Sequence, residues 1–280
     1  MKPLIKPHEL LEQSSIDELI MIDARQGADS LQKYQSGHLK DAFRVDLESD
    51  LSDIKDHPRQ GGRHPLPTPE AFGRLLGKLG ITPQAHVVVY DDQNGANAAA
   101  RFWWMLRAAG HQKVQVLDGG FQAALKAGWP VSTRQPVAEQ QPPYPVKQWQ
   151  LPLADMQQVE HATRDHQSLV IDVREAGRYK GEYEPYEEIA GHIPGAINIP
   201  YSENQDQEGF FHAPQKLREL YAPYLNKVQE GRVIVHCGSG VSACPTLLAL
   251  AHAGFEIPAL YVGSFSEWSR NEKPVATGDL

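Results

Sequence analysis

One cysteine in this chain stands where its surroundings could make it reactive. Cys237 ends the β-branched run Val233–His236, and Gly238-Ser239-Gly240-Val241-Ser242-Ala243 follows before helical composition resumes. Two glycines let the backbone curl so that successive N–H groups point at one spot. The positive end of the following helix adds to that field. Such a cradle favours an anion, and the nearest candidate is the Cys237 sulfur; cysteines at helix N-termini are nucleophiles at neutral pH. Cysteine phosphatases share this plan, but they need an arginine where Ala243 stands to grip phosphate with two hydrogen bonds. Without it the loop suits a thiolate, a persulfide or a smaller sulfur-bearing anion. The other cysteine, Cys244, falls inside the helix and reads as a small buried hydrophobe, too constrained to reach Cys237 for a disulfide.

Bulk composition bounds the remaining chemistry. The 280 residues carry a net charge of −8, and no basic run interrupts them, which argues against nucleic-acid or membrane-surface partners. No stretch approaches the roughly 18 apolar residues that span a bilayer. Residues 1–15 lack the apolar block of a signal peptide, so a cytoplasmic protein is expected. Two cysteines make no disulfide framework, which fits a reducing compartment. None of the twelve histidines falls in a metal-ligand pattern, so neither a metal nor a cofactor is expected.

The elements that must position Cys237 are written twice. Ile22-Asp23-Ala24-Arg25 is answered by Ile171-Asp172-Val173-Arg174, and Gly37-His38-Leu39-Lys40-Asp41-Ala42 by Gly191-His192-Ile193-Pro194-Gly195-Ala196. His86-Val87-Val88-Val89-Tyr90 pairs with Arg232-Val233-Ile234-Val235-His236, and Gly119 and Phe121 pair with Gly263 and Phe265. The order holds, and the offset stays near about 150 residues, the mark of a duplicated domain. Each half alternates short buried strands with helices. Thr68-Pro69 opens one helix, and Gly110 and Gly254 close two others. The expected fold is α/β: two homologous domains, each a mainly parallel sheet flanked by helices. Residues 1–132 form the first and 151–280 the second, with a semi-rigid Pro/Gln-rich linker over 133–150.

These motifs resemble the tandem-domain rhodanese family over nearly the whole chain, through the paired Asp-x-Arg, the Gly-His-Ile-Pro-Gly-Ala pattern and the closing Gly263-Ser264-Phe265-Ser266-Glu267-Trp268. The resemblance implies a silent first domain, whose loop Asp91-Asp92-Gln93-Asn94-Gly95 lacks a cysteine, and a catalytic second one. Within the family the Cys237-Gly238-Ser239-Gly240-Val241 loop is similar to 3-mercaptopyruvate sulfurtransferases, with Ser242 where threonine is usual. Thiosulfate sulfurtransferases carry basic residues after the cysteine, where Gly238 and Ser239 stand here. The resemblance also implies a substrate-binding role for Arg178. His64, in the segment that reaches the cleft between the domains, would orient substrate or pass a proton. Ser239 would join an activating relay whose aspartate position falls at Asp46 or Glu48. The family's second substrate arginine is replaced by Glu187, a carboxylate expected to repel an anionic donor unless it turns away. His38 and His192 occur in both halves, which favours a structural role for each.

The expected reaction moves sulfur from 3-mercaptopyruvate through a Cys237 persulfide to cyanide, a thiol or a thioredoxin-like acceptor. Cys237 and Ser239 would be catalytic; Arg178, Gly238, Gly240, Val241, Ser242 and His64 would bind substrate. The alternatives are a thiosulfate:cyanide sulfurtransferase and a non-enzymatic sulfur-relay module. A single chain that supplies both domains is expected to act as a monomer.

Overall fold

Five strands in each half pair into a five-stranded parallel sheet, and the central strands His86–Tyr90 and Val233–His236 are buried on both faces. The computed structural model describes residues 1–12, 19–165, 167–228 and 232–279; the end of the 1–15 stretch considered above lies outside them. In the first half the strand order is Leu4–Ile5, Val114–Leu117, His86–Tyr90, Leu19–Asp23, Ala42–Arg44. In the second it is Leu153–Ala154, Ala259–Tyr261, Val233–His236, Leu169–Asp172, Ile197–Asn198. The two orders correspond strand for strand, so the duplication read from the motifs is a duplication of topology. The strand that ends at Cys237 is central in its sheet. A residue following it therefore emerges at the carboxyl edge, where open parallel sheets bind ligands.

The chain divides into two compact units. The first comprises Met1–Asp53, Pro67–Gln150 and Gln207–Phe211; the second comprises Ile54–Leu66, Leu151–Asp206 and His212–Leu280. Ile54–Leu66, which carries Arg63 and His64, thus packs with the second unit although the first half encodes it. Close contacts hold it there. Gly61 N–H donates to Glu267 Oε1 at 2.8 Å, and Gly62, at φ +78°, lies so close to the Gly263 carbonyl that no side chain would fit.

Sequence punctuation sets the helices. Thr68 caps Pro69–Lys78 by accepting the Ala71 N–H at 3.2 Å. Gly254 closes Cys244–Ala253 at φ +80°. Ala98–Ala108 and Cys244–Ala253 follow the two central strands and are almost entirely buried, each large side chain such as Phe102, Met105, Leu247 or Leu250 contributing about 1.5–3 kcal/mol. The 133–150 stretch does more than space two domains. It runs along Pro69–Lys78, whose Gly73 and Gly77 leave room for its backbone: Tyr144 N–H donates to Gly73 O and Gln141 N–H to Gly77 O, both at 2.9 Å. Tyr144 and Val146 are buried there, and the Tyr144 hydroxyl meets His111 Nδ1 at 3.0 Å.

Among the described residues no group of His, Cys, Asp and Glu could hold a metal, and no helix is long and apolar enough to cross a membrane.

Candidate active site

Cys237 leaves the central strand fully buried, and the loop folds back over its sulfur. The Gly240 N–H donates to Sγ at 3.1 Å. Gly240 adopts φ +80° to do so, with the Val262 carbonyl packed where a side chain would stand. The cysteine's own N–H donates to Ser264 Oγ at 3.1 Å, and that hydroxyl lies 3.9 Å from Sγ. Val241 and Ser242 lead into the helix, the Val241 carbonyl accepting the Cys244 N–H at 3.0 Å. Cys244 is buried at the first turn, its Sγ 3.5 Å from the Gly240 carbonyl.

Above this loop the second unit gathers charge. A Cβ on Gly238 would stand 3.3 Å from Arg178 Nη2 and 3.4 Å from Arg63 Nη2, so two guanidinium groups converge beside the cysteine. Arg178 belongs to the short helix Ala176–Lys180 and forks onto Glu184 at 2.7 and 2.9 Å. Arg63 donates from Nε to Glu187 at 2.9 Å, and Arg270 pairs with the other Glu187 oxygen. The Tyr186 ring lies 4.9 Å from the Arg63 guanidinium carbon and 5.0 Å from that of Arg178, fixing their separation. Burial pulls Arg63 below the ordinary arginine range; the Cys237 charge opposes that shift and Arg178 adds to it.

Deeper still, Arg174 bridges Asp172 at 2.6 Å and Glu184 at 3.1 Å. Burial would push the Asp172 carboxyl up, but the Arg174 guanidinium outweighs it and holds Asp172 below the usual carboxylate range. Arg174 is raised in turn: burial works against its charge, and Asp172 more than offsets it. His236 lies 3.9 Å from Asp172, and burial lowers its pKa.

His64 and Ser239 meet: His64 Nδ1 lies 2.8 Å from Ser239 Oγ, one residue from Gly238. The structure thus brings together, in one unit, Cys237, Gly238, Ser239, Gly240, Arg178 and His64. Asp46 serves its own turn in the first unit, accepting the Glu48 and Ser49 N–H groups at 3.0 and 3.1 Å and pairing with Arg44. His38 and His192 share one arrangement, stacking on Tyr34 and Tyr179 at 4.0 and 3.8 Å and meeting those residues' carbonyls through Nδ1. That repetition marks them as parts of the fold.

Sequence reasoning passed over Arg63, Ser264, Glu184 and Tyr186. Arg63 had a signal, since it adjoins His64 in a glycine-led segment. Ser264 had none, because its value rests on a backbone angle. Glu187 reads differently in three dimensions: its side chain is fully buried and engaged on both oxygens, so its charge is neutralised.

At the position of Cys237 the first unit places Asp91. Its carboxylate accepts the N–H groups of Gln93, Gly95, Asn97 and Ala99 at 2.7–3.1 Å. The same curled loop is therefore present in both units, filled by a carboxylate in one and by a sulfur in the other.

A family profile described as "Rhodanese-like domain" matches residues 6–127 and again 155–271. The chain is 35% identical over 289 residues to a Pseudomonas aeruginosa protein named "Probable 3-mercaptopyruvate sulfurtransferase", spanning 99% of this chain and 98% of that one. It is 34% identical to the thiosulfate sulfurtransferase of Rattus norvegicus, over 86% of this chain and 80% of that protein. Among solved structures, the 3-mercaptopyruvate sulfurtransferase from Leishmania major aligns with a TM-score of 0.83 at 29% identity, covering 98% of this chain and 75% of that chain.

Proposed function

The chain belongs to the rhodanese-like domain family as a tandem of two such domains and is a sulfurtransferase; from that premise we propose that it carries sulfur from 3-mercaptopyruvate to a thiol acceptor as a persulfide on Cys237. The Cys237 thiolate attacks the thiol sulfur of the donor. A sulfur–sulfur bond forms, the carbon–sulfur bond breaks, and its electron pair leaves on carbon as the enolate of pyruvate, which takes a proton. The persulfide then yields its outer sulfur to a thiolate, cyanide or a thioredoxin-like protein, and the Cys237 thiolate returns. Two free cysteines suit a reducing cytoplasm, where thiol acceptors are available. This is covalent nucleophilic catalysis, with ping-pong kinetics. The Gly240 N–H supports negative charge on sulfur at both stages.

The observation that carries mercaptopyruvate over thiosulfate is the His64–Ser239 hydrogen bond. An enolate leaving group needs a proton as it departs, and a histidine behind a hydroxyl beside the cysteine can deliver one. Sulfite, the leaving group of thiosulfate, needs none. The test is steady-state transfer to cyanide with each donor. Cys237→Ser should abolish turnover with an unchanged circular-dichroism spectrum. Ser239→Ala should lower kcat with mercaptopyruvate by about a hundredfold, the usual scale of acid–base help, and leave thiosulfate turnover nearly intact. A kcat/KM advantage for thiosulfate in the wild type would overturn the reading, and no turnover with either donor would favour a relay module.

A further inference from the structure

The first unit holds a cavity of about 420 Å³ between the turn at 49–53 and the helix Pro69–Lys78. That volume is in the range of small-molecule sites. Its lining carries polar groups that the fold leaves unused. Ser52 is only 6% exposed, yet its buried hydroxyl oxygen has no hydrogen-bond partner, a state native interiors rarely keep because it costs free energy. Asp50 Oδ2 accepts the Asp46 N–H at 2.8 Å, while Oδ1 accepts no hydrogen bond among the described residues. Arg74 and Lys78 line the cavity from one face of the helix, four residues apart, and form no ion pair among the described residues. Like charges at that spacing repel, so the pair favours an anion between them.

These groups select the class of ligand. The two bases, Arg74 and Lys78, are balanced in the lining by two acids, Asp50 and Asp53, so a net-neutral ligand suits it better than an anion or a cation. Burial raises the Asp50 carboxyl, and Lys78 is close enough to oppose that shift, so the two charges of the ligand must be neighbours. An ammonium and a carboxylate on one carbon meet that requirement. Pro67, Ala71 and Leu75 add an apolar strip for a side chain. We propose that this cavity binds a free α-amino acid as its zwitterion, with the carboxylate on Arg74 and Lys78, the ammonium on Asp50 and the Ser52 hydroxyl, and the side chain along Ala71 and Leu75. The site belongs wholly to the first unit and gives the unit without a reactive cysteine a ligand of its own.

Titration calorimetry on the full chain tests this with glycine and L-leucine, which carry both charges and no thiol on which Cys237 could act. N-acetyl-L-leucine keeps only the carboxylate, and L-leucinamide keeps only the ammonium. L-leucine should bind at one saturable site, and each half-charged analogue about tenfold more weakly, the value of one charge-assisted hydrogen bond. Arg74→Met, on the exposed face of its helix, should weaken L-leucine by a similar factor and leave sulfur transfer unchanged. Asp50→Asn, which keeps an acceptor for the Asp46 N–H, should weaken it likewise, and Ser52→Ala should weaken it several-fold. Arg178→Met, beside the cysteine loop, should bind L-leucine as the wild type does. Three results would each overturn the proposal. One is no saturable binding of glycine or L-leucine at concentrations on the order of 10 mM. Another is N-acetyl-L-leucine binding as tightly as L-leucine, the mark of a plain anion site. The third is binding that survives Arg74→Met and is lost in Arg178→Met, which would put the amino acid at Cys237.

Discussion

Ser264 holds a left-handed backbone, φ +54°, that costs a residue with a Cβ about 1–2 kcal/mol. The first unit uses Gly120 at the equivalent place, with φ +60°. The second unit keeps a hydroxyl despite the strain, and that hydroxyl accepts the Cys237 N–H at 3.1 Å while donating to the Tyr261 carbonyl at 2.9 Å. Strain retained beside a reactive group points to a role in holding it. Ser264→Gly should therefore relieve strain and lose a hydrogen bond in near balance, moving Tm by no more than about 3 °C, while kcat falls about tenfold. An unchanged kcat would reduce Ser264 to packing. At this scale the sequence singled out Cys237 by its loop and, through the family resemblance alone, Ser239, His64 and Arg178, which the structure gathers into one unit. It was silent where the role depends on an angle, as at Ser264. It left the outcome open where a charge depends on its partners, as at Glu187, whose two partners come from distant parts of the chain.

The loop that follows the central strand is the element in which the two units part ways. In the first, Asp91 satisfies four backbone N–H groups with its own side chain, so the cradle is closed by the chain itself. In the second, the sulfur of Cys237 takes the Gly240 N–H. Removing the Asp91 carboxylate leaves buried donors without partners, each costing about 1–3 kcal/mol. Asp91→Ala should therefore destabilise the first unit by several kcal/mol and lower Tm, while Cys237 keeps its reactivity towards iodoacetamide at temperatures where the protein stays folded. Loss of that reactivity in the folded variant would show that the first-unit loop supports the cysteine as well as its own domain. Strand–helix alternation and the paired motifs made these elements readable from sequence. Proline content could not reveal that 133–150 lies on the Gly73–Gly77 face of a helix, since only the packing shows which backbone those glycines admit.

Across the whole molecule, buried histidines set how stability varies with acid. His111 in the first unit and His192 and His236 in the second are each held below the ordinary histidine value of 6.5 by burial. His111 lies between the Tyr144 hydroxyl and the Ala85 carbonyl, His192 against the Tyr179 carbonyl, and His236 between Asp172 and the Cys237 carbonyl. In the folded protein they stay neutral at a pH where the unfolded chain takes up protons. The unfolded state thus binds more protons below about 6.5, and stability rises with pH through that window. The contribution is complete above 6.5 and lost as pH falls towards the depressed folded values. Asp172, held below its ordinary 3.8 by Arg174, adds a second loss that begins only near that value. Calorimetry should find Tm falling between pH 7 and pH 5, and falling again below pH 4. Because both units carry such a histidine, the first decline should affect both. A Tm that is flat from pH 7 to pH 5 would mean that these imidazoles gain partners on protonation. Turnover measured in that range, below Tm, then reports the site, since the acid loss of fold and the acid loss of sulfur transfer are separate events.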